Sequence, residues 1–465
     1  MQTYPARFLS VFIVLLCSTF VNLNDNLFAL DSNGNSKKQS DIDISQKTRL
    51  SERELKNKKE GSYVTGLAGP GSSPDVGFGG TGIVMWYYNG EKDDPLFPYT
   101  PYLHNVSFLA SYMSKGFAQF AVRWDAPYFL RSSFRVFAEA WYTMNPVSQY
   151  YGTGSSTHST LKDPDGNTYD RMEDYDSALR TISGGTTNSH YNFYDQRDTM
   201  FRVNIQRDFS GGSIRLLGGF IFKFFEISDY SNKTVAVNKS DGTSTDAKMN
   251  TTRLNKDYLA GKILGFNGGW NNSITFGFAY DKRDLESFPR KGAFHDVVIN
   301  HTSKFLGAEY EWTEITSAAR FYFSPWQSAD IVFATRLAYT IRTGDVPFYG
   351  MTTVQFSDRF HTSMGGMRGY RDRRFMGPVV ALANAEVRYT FATWRPGTQI
   401  IEFSLAPFID AGRVFDDVQQ THLTNWAYSY GIGLRGTWNQ ATVIAFDFGF
   451  SAEDFGFYLQ VGHTY

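Results

Sequence analysis

Alternation of apolar and polar residues, held for 10–12 positions at a time and repeated down the chain, sets the tightest bound on this sequence. In 198–209, Phe201, Val203, Ile205 and Phe209 share one face, and Arg202, Asn204, Gln206 and Asp208 the other. Arg207 interrupts the apolar face, but near the strand end, where a long side chain reaches an interface. In 328–342, Ile331, Phe333, Leu337, Tyr339 and Ile341 oppose Asp330, Arg336, Thr340 and Arg342. In 426–437, Tyr428, Tyr430, Ile432 and Leu434 oppose Ser429, Gly431, Gly433 and Arg435. Successive side chains of a strand point to opposite faces, so each segment is a strand with one apolar side. A half-buried strand of a soluble sheet alternates in the same way. Two features favour a membrane instead. The segments match a tilted strand crossing a bilayer, about 9–11 residues, rather than the usual soluble strand of about 5–6. Their polar faces also carry Arg, Asp and Glu through the middle, as the lining of a water-filled lumen does. The predicted fold is all-β, an antiparallel transmembrane β-barrel.

About sixteen such segments lie near 62–70, 77–89, 104–114, 116–126, 132–143, 198–209, 213–226, 271–283, 292–303, 307–323, 328–343, 378–393, 400–412, 426–437, 441–450 and 454–464. An even count lets both termini lie in the periplasm, with short turns there and long loops outside. Ser210–Gly212, Ser324–Gln327, Trp394–Thr398 and Asn439–Gln440 are the short turns. The polar stretches 144–197, 227–270 and 344–377 are the surface loops, while 90–103 is long for a periplasmic connection. The first strand is glycine-rich, with Gly66 and Gly69 and Gly71 just beyond, and is expected to pair poorly.

Composition narrows the alternatives. The chain carries 41 Phe, 28 Tyr and 9 Trp beside 42 Gly, as a barrel with only alternate residues facing lipid requires. A mean hydropathy of −0.34, with no long uncharged apolar run beyond the leader, excludes a bundle of membrane-spanning helices. Forty-five basic residues against 46 acidic ones leave no global basic field, which excludes nucleic acid as a partner. Residues 1–30 read as an export signal peptide, with Arg7, the short apolar stretch Phe8–Phe20 and Ala29 for cleavage. The single cysteine, Cys17, lies in that stretch behind the bulky Leu16, which argues against a lipidation site. The mature chain is then expected to hold neither disulfide nor thiolate metal site. Residues 31–60 are polar and read as a disordered periplasmic linker, its Lys56, Lys58 and Lys59 solvated, and 61–465 as the barrel. No GxSxG elbow or GxxxxGK[ST] loop occurs and the histidines are scattered, so no enzyme, cofactor or metal is expected. The stretch Asp163–Asn167 reads as a plain polar turn rather than a Ca²⁺ site.

The loop 344–377 is unusual for a surface loop. It holds Gly365-Gly366-Met367-Arg368-Gly369-Tyr370, then Arg371, Arg373 and Arg374. The next strand puts Asn384, Glu386 and Arg388 on its polar face, and the one after puts Glu402, Phe408, Asp410 and Gly412 there. Inward carboxylates on neighbouring strands need a cation, and a glycine-flanked arginine on a loop that folds back can supply a guanidinium to two of them.

The loop motif GGMRGY, the strand motif NAEVR, the FIDAG motif and the ending FYLQVGHTY together resemble the outer-membrane assembly superfamily. That group holds BamA and TamA, the two-partner secretion transporters and the bacterial surface antigen domain. The segment 280–292, YDKRDLESFPRKG, resembles the turn that opens the second half of such barrels. Met367 departs from the family's usual β-branched residue, and residues 31–60 are too short for one of the family's periplasmic POTRA domains. The resemblance implies a bacterial outer-membrane location and a lumen plugged by an inward loop. There Arg368 would be the lock, paired with Asp410 and Glu386, with Gly369 and Gly412 beside it and Tyr370 packed near Phe408. Phe457, Leu459, Val461, Gly462 and Tyr465 would form the C-terminal assembly signal, on a last strand that makes a weak seam with the first. The implied function is insertion or translocation of protein, or of lipid. Its partners would be outer-membrane lipid and lipopolysaccharide, an unfolded client, and a periplasmic protein in place of the POTRA domains. The alternative is a passive pore or a surface-adhesion barrel that keeps the fold without the activity.

Overall fold

Each alternating segment becomes a strand. The computed structural model describes residues 58–461, Leu50 and Leu55, apart from 74, 239–242, 287, 327–329, 358–359, 363–366, 397–399 and 439–441. Sixteen long strands run up and down in sequence order: β1 (Ser62–Ser73), β2 (Gly77–Tyr88), β3 (His104–Met113), β4 (Ala118–Ala126), β5 (Phe134–Gln149), β6 (Phe193–Phe209), β7 (Ile214–Asp229) and β8 (Ser273–Asp281), then β9 (Gly292–Thr302), β10 (Trp312–Phe323), β11 (Ile331–Gly344), β12 (Val379–Trp394), β13 (Ile401–Phe415), β14 (Ala427–Trp438), β15 (Thr442–Ser451) and β16 (Phe455–Val461). Every strand pairs antiparallel with its sequence neighbour. The sheet curls into a nearly closed barrel in which β16 returns beside β1. Among the described residues no ladder joins those two strands.

The wall is inside out relative to a soluble protein. Arg336, Arg388 and Arg435 are among its largest fully buried side chains, while Phe220, Phe276, Phe321 and Ile432 stand exposed on the outer face. An apolar belt of this extent is unstable in water and is matched by lipid. At the end with the short turns, Trp326, Trp394 and Trp438 are exposed, as interfacial aromatic residues are. Arg207 lies over the rings of Phe134 and Phe209, at 5.4 and 5.1 Å, which carries its charge out of the apolar face.

Several strands overrun their expected ends, β1, β5 and β6 among them. β1 continues to Ser73 and is paired with β2 along its whole length, so its glycines do not weaken that edge. β5 and β6 reach Gln149 and back to Phe193, six and five residues beyond the alternating segments. They rise as a hairpin wall because Tyr150 and Tyr194 bury against Phe225, Leu254, Ile263, Phe348 and Met376 of the neighbouring strand and loops. The surface loops fold into a cap. Helix α1 (Met172–Leu179) packs Met172, Tyr175 and Leu179 against Val235, Val237 and Met249 of a small hairpin, Thr234–Asn238 with Ser244–Met249. Helix α2 (Arg253–Leu259) starts at Thr252, whose hydroxyl accepts from the Asn255 N–H at 3.1 Å.

The long connection 89–103 has a structural reason. Leu96 and Phe97 are buried in it, and Leu50 N–H donates to the Pro98 carbonyl at 2.8 Å. Lys58 donates to the carbonyls of Phe97 and Thr100 at 2.5 and 2.7 Å and lies 3.9 Å from the Phe97 ring, so it is bound rather than solvated. Burial pulls its ammonium down to about 8 against the field of Asp94.

Candidate functional site: an inward loop on the barrel wall

The connection between β11 and β12 enters the barrel twice. On its way in, Thr353–Gln355 pairs with Phe360–Thr362 in a short hairpin seated against β9 to β11. Gln355 Oε1 accepts from Asn300 Nδ2 at 2.6 Å, and its N–H donates to Glu314 at 3.2 Å. Ser357 N–H donates to Asp296 at 2.7 Å, beside an Arg320–Asp296 pair of the same length. Phe356 is buried beneath the guanidiniums of Arg320 and Arg336, 4.9 and 5.6 Å from its ring centre.

Later in the same connection, Arg368 lies against the wall formed by β12, β13 and β15. Its Nε and Nη2 each donate to Asp410 of β13 at 2.9 Å, the bidentate geometry that suits a guanidinium. Its Nη1 donates to Glu386 of β12 at 3.1 Å and lies 3.5 Å from Asp447 of β15. The face of Phe408 covers the guanidinium at 3.3 Å. Neighbours complete the charge balance. Arg388 donates to Glu386 at 2.8 Å, and Arg435 bridges Glu386 at 3.1 Å and Asp447 at 2.7 Å. Asn384 donates to Asp410 at 2.8 Å and accepts from Arg336 at 2.9 Å. Three guanidiniums thus meet three carboxylates, all at most 4% exposed. Removing any one leaves the cluster with a net buried charge.

The chain can come this close because the wall is bare beneath it. Gly431 of β14, Gly449 of β15 and Gly456 of β16 stand opposite one another in register and make a level shelf. A Cβ on Gly449 would lie 2.7 Å from Gly369 N and 2.8 Å from the Arg368 carbonyl carbon. Gly369 itself has φ +91, a region open to glycine at no steric cost. Its N–H donates to the Tyr458 hydroxyl at 2.9 Å, and its carbonyl accepts from Ser451 Oγ at 2.7 Å. That left-handed turn sends residues 368 and 370 apart. Tyr370 therefore packs edge-on to Phe375, 5.0 Å between centres, with Met367, Val380, Leu382 and Val414 around it. The sequence expectation that it packs beside Phe408 is corrected on this point. Gly412 faces inward two residues past Asp410, opposite Leu382. Phe457, Leu459 and Val461 pair with Phe448, Phe446 and Ile444 of β15. Gly462 and Tyr465 lie outside the described residues, as do Gly365, Gly366 and the leader.

The arginines after Arg368 tie the loop to the top of the seam. Arg371 donates to Asp454 between β15 and β16 at 2.5 Å and approaches Asp176 of α1 at 3.5 Å. Asp75, in the β1–β2 turn, accepts from Gln149 at 3.0 Å. Burial and the neighbouring Asp372 push the Asp75 carboxyl up to about 6, against the pull of Arg371. Arg374 grips both oxygens of Glu453 at 2.7 Å and donates to the Thr157 carbonyl. His158 follows in the same segment, stacked on Phe375 at 4.6 Å, with Nε2 accepting from the Val414 N–H at 3.0 Å. Asp163 spends its oxygens on its own turn, accepting from Asn167 and Tyr169. Among the described residues no cluster could hold a metal ion.

Two family models match the sequence: a domain of unknown function (DUF5982) over residues 40–103, and the Omp85 superfamily domain over 109–465. Similar solved structures include BamA from Haemophilus ducreyi lacking POTRA domains 1–3, at 12% identity and TM-score 0.48, covering 87% of this chain and 70% of that one. CdiB from Escherichia coli matches at 11% identity and TM-score 0.44, covering 86% of this chain, and CdiB from Acinetobacter baumannii at 11% and 0.43, covering 87%. This chain spans 61% and 60% of those two chains' own length. Curated proteins give no match to the sequence.

Proposed function

We infer that this chain, which belongs to the Omp85 superfamily, inserts or translocates polypeptide at the bacterial outer membrane, through a barrel closed at rest by the loop that carries Arg368. The observation that carries the reading is the way the loop is held. Arg368 itself meets the wall through ion pairs and hydrogen bonds over a glycine shelf, while Met367 and Tyr370 beside it pack on Val380, Leu382 and Val414. Apolar filling would stabilise a permanently closed lumen at least as well, because buried ion pairs roughly break even against desolvation. Ionic docking has a different advantage: the lining stays compatible with water, or with a polar backbone, once the loop leaves. The seam supplies an exit. Among the described residues β1 and β16 are adjacent without a ladder, so parting them breaks fewer hydrogen bonds than parting any other pair.

The partners follow from the same reading. Lipid and lipopolysaccharide contact the outer belt, an unfolded protein enters from the periplasm, and a periplasmic protein delivers it. The folded cap over the surface end favours a second reading, a surface-adhesion barrel that does not transport. The two differ in whether the seam must open. The mature chain as read holds no cysteine, so pairs introduced one at a time along 64–68 of β1 and 457–461 of β16 can be oxidised cleanly. In a strain depleted of the native protein, a bridged seam is expected to lower the client content of the outer membrane and reductant to restore it. A bridged barrel that sustains normal outer-membrane composition sinks the lateral exit and leaves the adhesion reading.

A further inference from the structure

The turn between β8 and β9, in its described residues 282–286 and 288–291, folds inward at the mouth where the short turns lie. Its Glu286 accepts from Arg215 of β7 at 2.7 Å, with Arg135 of β5 at 3.5 Å and Arg283 at 3.7 Å. Arg290, at its far end, reaches both oxygens of Glu402 on β13 at 2.9 Å, four strands on from β9. The turn is braced from within. Asp284 accepts from the N–H groups of Leu285, Arg290 and Lys291, and Arg283 lies 4.0 Å over the Phe294 ring.

Behind Glu286 is a cavity of about 100 Å³, lined by Arg135, Arg202, Arg215 and Arg283 with Asn204, and met by Ser357 of the long loop. A cavity of that volume has room for several waters, and so for a carboxylate and its methylene. The wall arginines have carboxylates of their own. Arg135 pairs with Asp125 at 2.6 Å, Arg202 with Glu139 at 2.9 Å and Arg283 with Asp281 at 2.7 Å. Those acids are 0–9% exposed. Arg215 differs, since its wall partners Asp281 and Asp208 stand off at 3.4 and 3.7 Å and Glu286 supplies its short contact. Glu286 is also 48% exposed and sits on a turn, so it is the one carboxylate here that can leave without unfolding a strand.

We propose that Arg135, Arg215 and Arg283 form a carboxylate-binding site at the periplasmic mouth, and that Glu286 occupies it as an internal stand-in. The ligand it gives way to is a carboxylate of an entering polypeptide. Converging guanidiniums recognise a planar anion by its geometry as well as its charge. Displacing Glu286 frees the tip of the turn from β5 and β7, so engagement of a client loosens the inner mouth. That the ligand is a polypeptide rests on the proposed function, whereas the anion site itself is tested without transport.

The test uses the full chain refolded in detergent and a fluorescent decapeptide bearing glutamates, beside its glutamine counterpart, each with a free or an amidated C-terminus. Anisotropy is read for wild type, Glu286→Ala, Glu286→Gln and Glu286→Ala with Arg215→Gln, all checked for folding by heat-modifiable migration. Glu286→Ala is expected to bind the glutamate peptide at least about tenfold more tightly than wild type, the worth of one charge-assisted hydrogen bond set free. The added Arg215→Gln should remove that gain, and the glutamine peptide should show none unless its terminus is free. Loss of the gain on amidation assigns the terminal carboxylate, and its persistence assigns acidic side chains. Equal affinities for wild type and Glu286→Ala, a gain for the amidated glutamine peptide, or a gain surviving Arg215→Gln would overturn the site. Should Glu286→Ala fail to fold, Glu286→Gln, which keeps the turn's volume, carries the same comparison.

Discussion

Replacing Gly449 by alanine separates the seat of the loop from the barrel that carries it. The new methyl group lands 2.7 Å from Gly369 N, 2.8 Å from the Arg368 carbonyl carbon and 2.9 Å from Arg368 Cβ. Ordinary contact begins at 3.4 Å, and no side-chain rotation relieves a clash with backbone. The loop must lift by several tenths of an ångström, which stretches the 2.9 Å bonds from the same arginine to Asp410. Overpacking of this kind costs about 1–3 kcal/mol. The strand gains about 0.5–1 kcal/mol from exchanging glycine for alanine. Global stability of the barrel is therefore expected to change little. Release of the loop should rise roughly 5- to 150-fold, at about 1.36 kcal/mol per decade. Hydrogen exchange of the 367–376 amides reads that release directly, with the Gly369 N–H, held by Tyr458, as the reporter. A folded Gly449→Ala barrel in which this segment exchanges at the wild-type rate would refute the steric reasoning.

Two further expectations follow from the wall and the cap. Burial first, then Arg413 and Arg374, hold the His158 imidazole down at about 4, below its ordinary 6.5. The unfolded segment binds the proton more readily, so docking of residues 154–158 is complete above about pH 6.5 and is lost as pH falls through about 4. Proteolysis of that segment should become faster between pH 7 and pH 4 in wild type, and a His158→Gln variant with the same acid response would remove the cause given. Ile432 is exposed at the middle of β14, so Ile432→Arg should cost about 2–4 kcal/mol in urea unfolding from liposomes. A neutral effect there would mean that this face does not meet lipid.

How much of this was legible in the sequence depended on whether the signal was local. Strand number and hairpin order lie within reach of period-two alternation, and the pairing of Arg368 with Glu386 and Asp410 was implied by the family resemblance of three neighbouring motifs. Asp447 and Arg435 belong to the same cluster but escaped it, because their place depends on the register of β14 against β15. The run Phe446-Asp447-Phe448-Gly449-Phe450 carried the clue: an acid and a glycine share the inward face between outward phenylalanines. The shelf of Gly431, Gly449 and Gly456 exists only across three strands, so no single segment displays it. The hairpin around Gln355 and the cap were missed for a different reason. Their strands run three to six residues, too short to establish a period, and the residues they pack on lie tens of positions away. The resemblance put Tyr370 near Phe408, whereas beyond the left-handed Gly369 its ring packs on Phe375.

A lumen closed by the Arg368 loop is tested most directly by single-channel current across planar bilayers, comparing wild type with Arg368→Ala in folded, heat-modifiable protein. Loss of the arginine leaves Asp410 without its short ion pair and costs about 3–5 kcal/mol of loop docking. Wild type should be quiet, and Arg368→Ala should show frequent large openings. Matching quiet records from both proteins, or a steady open current from both, would contradict closure by this loop.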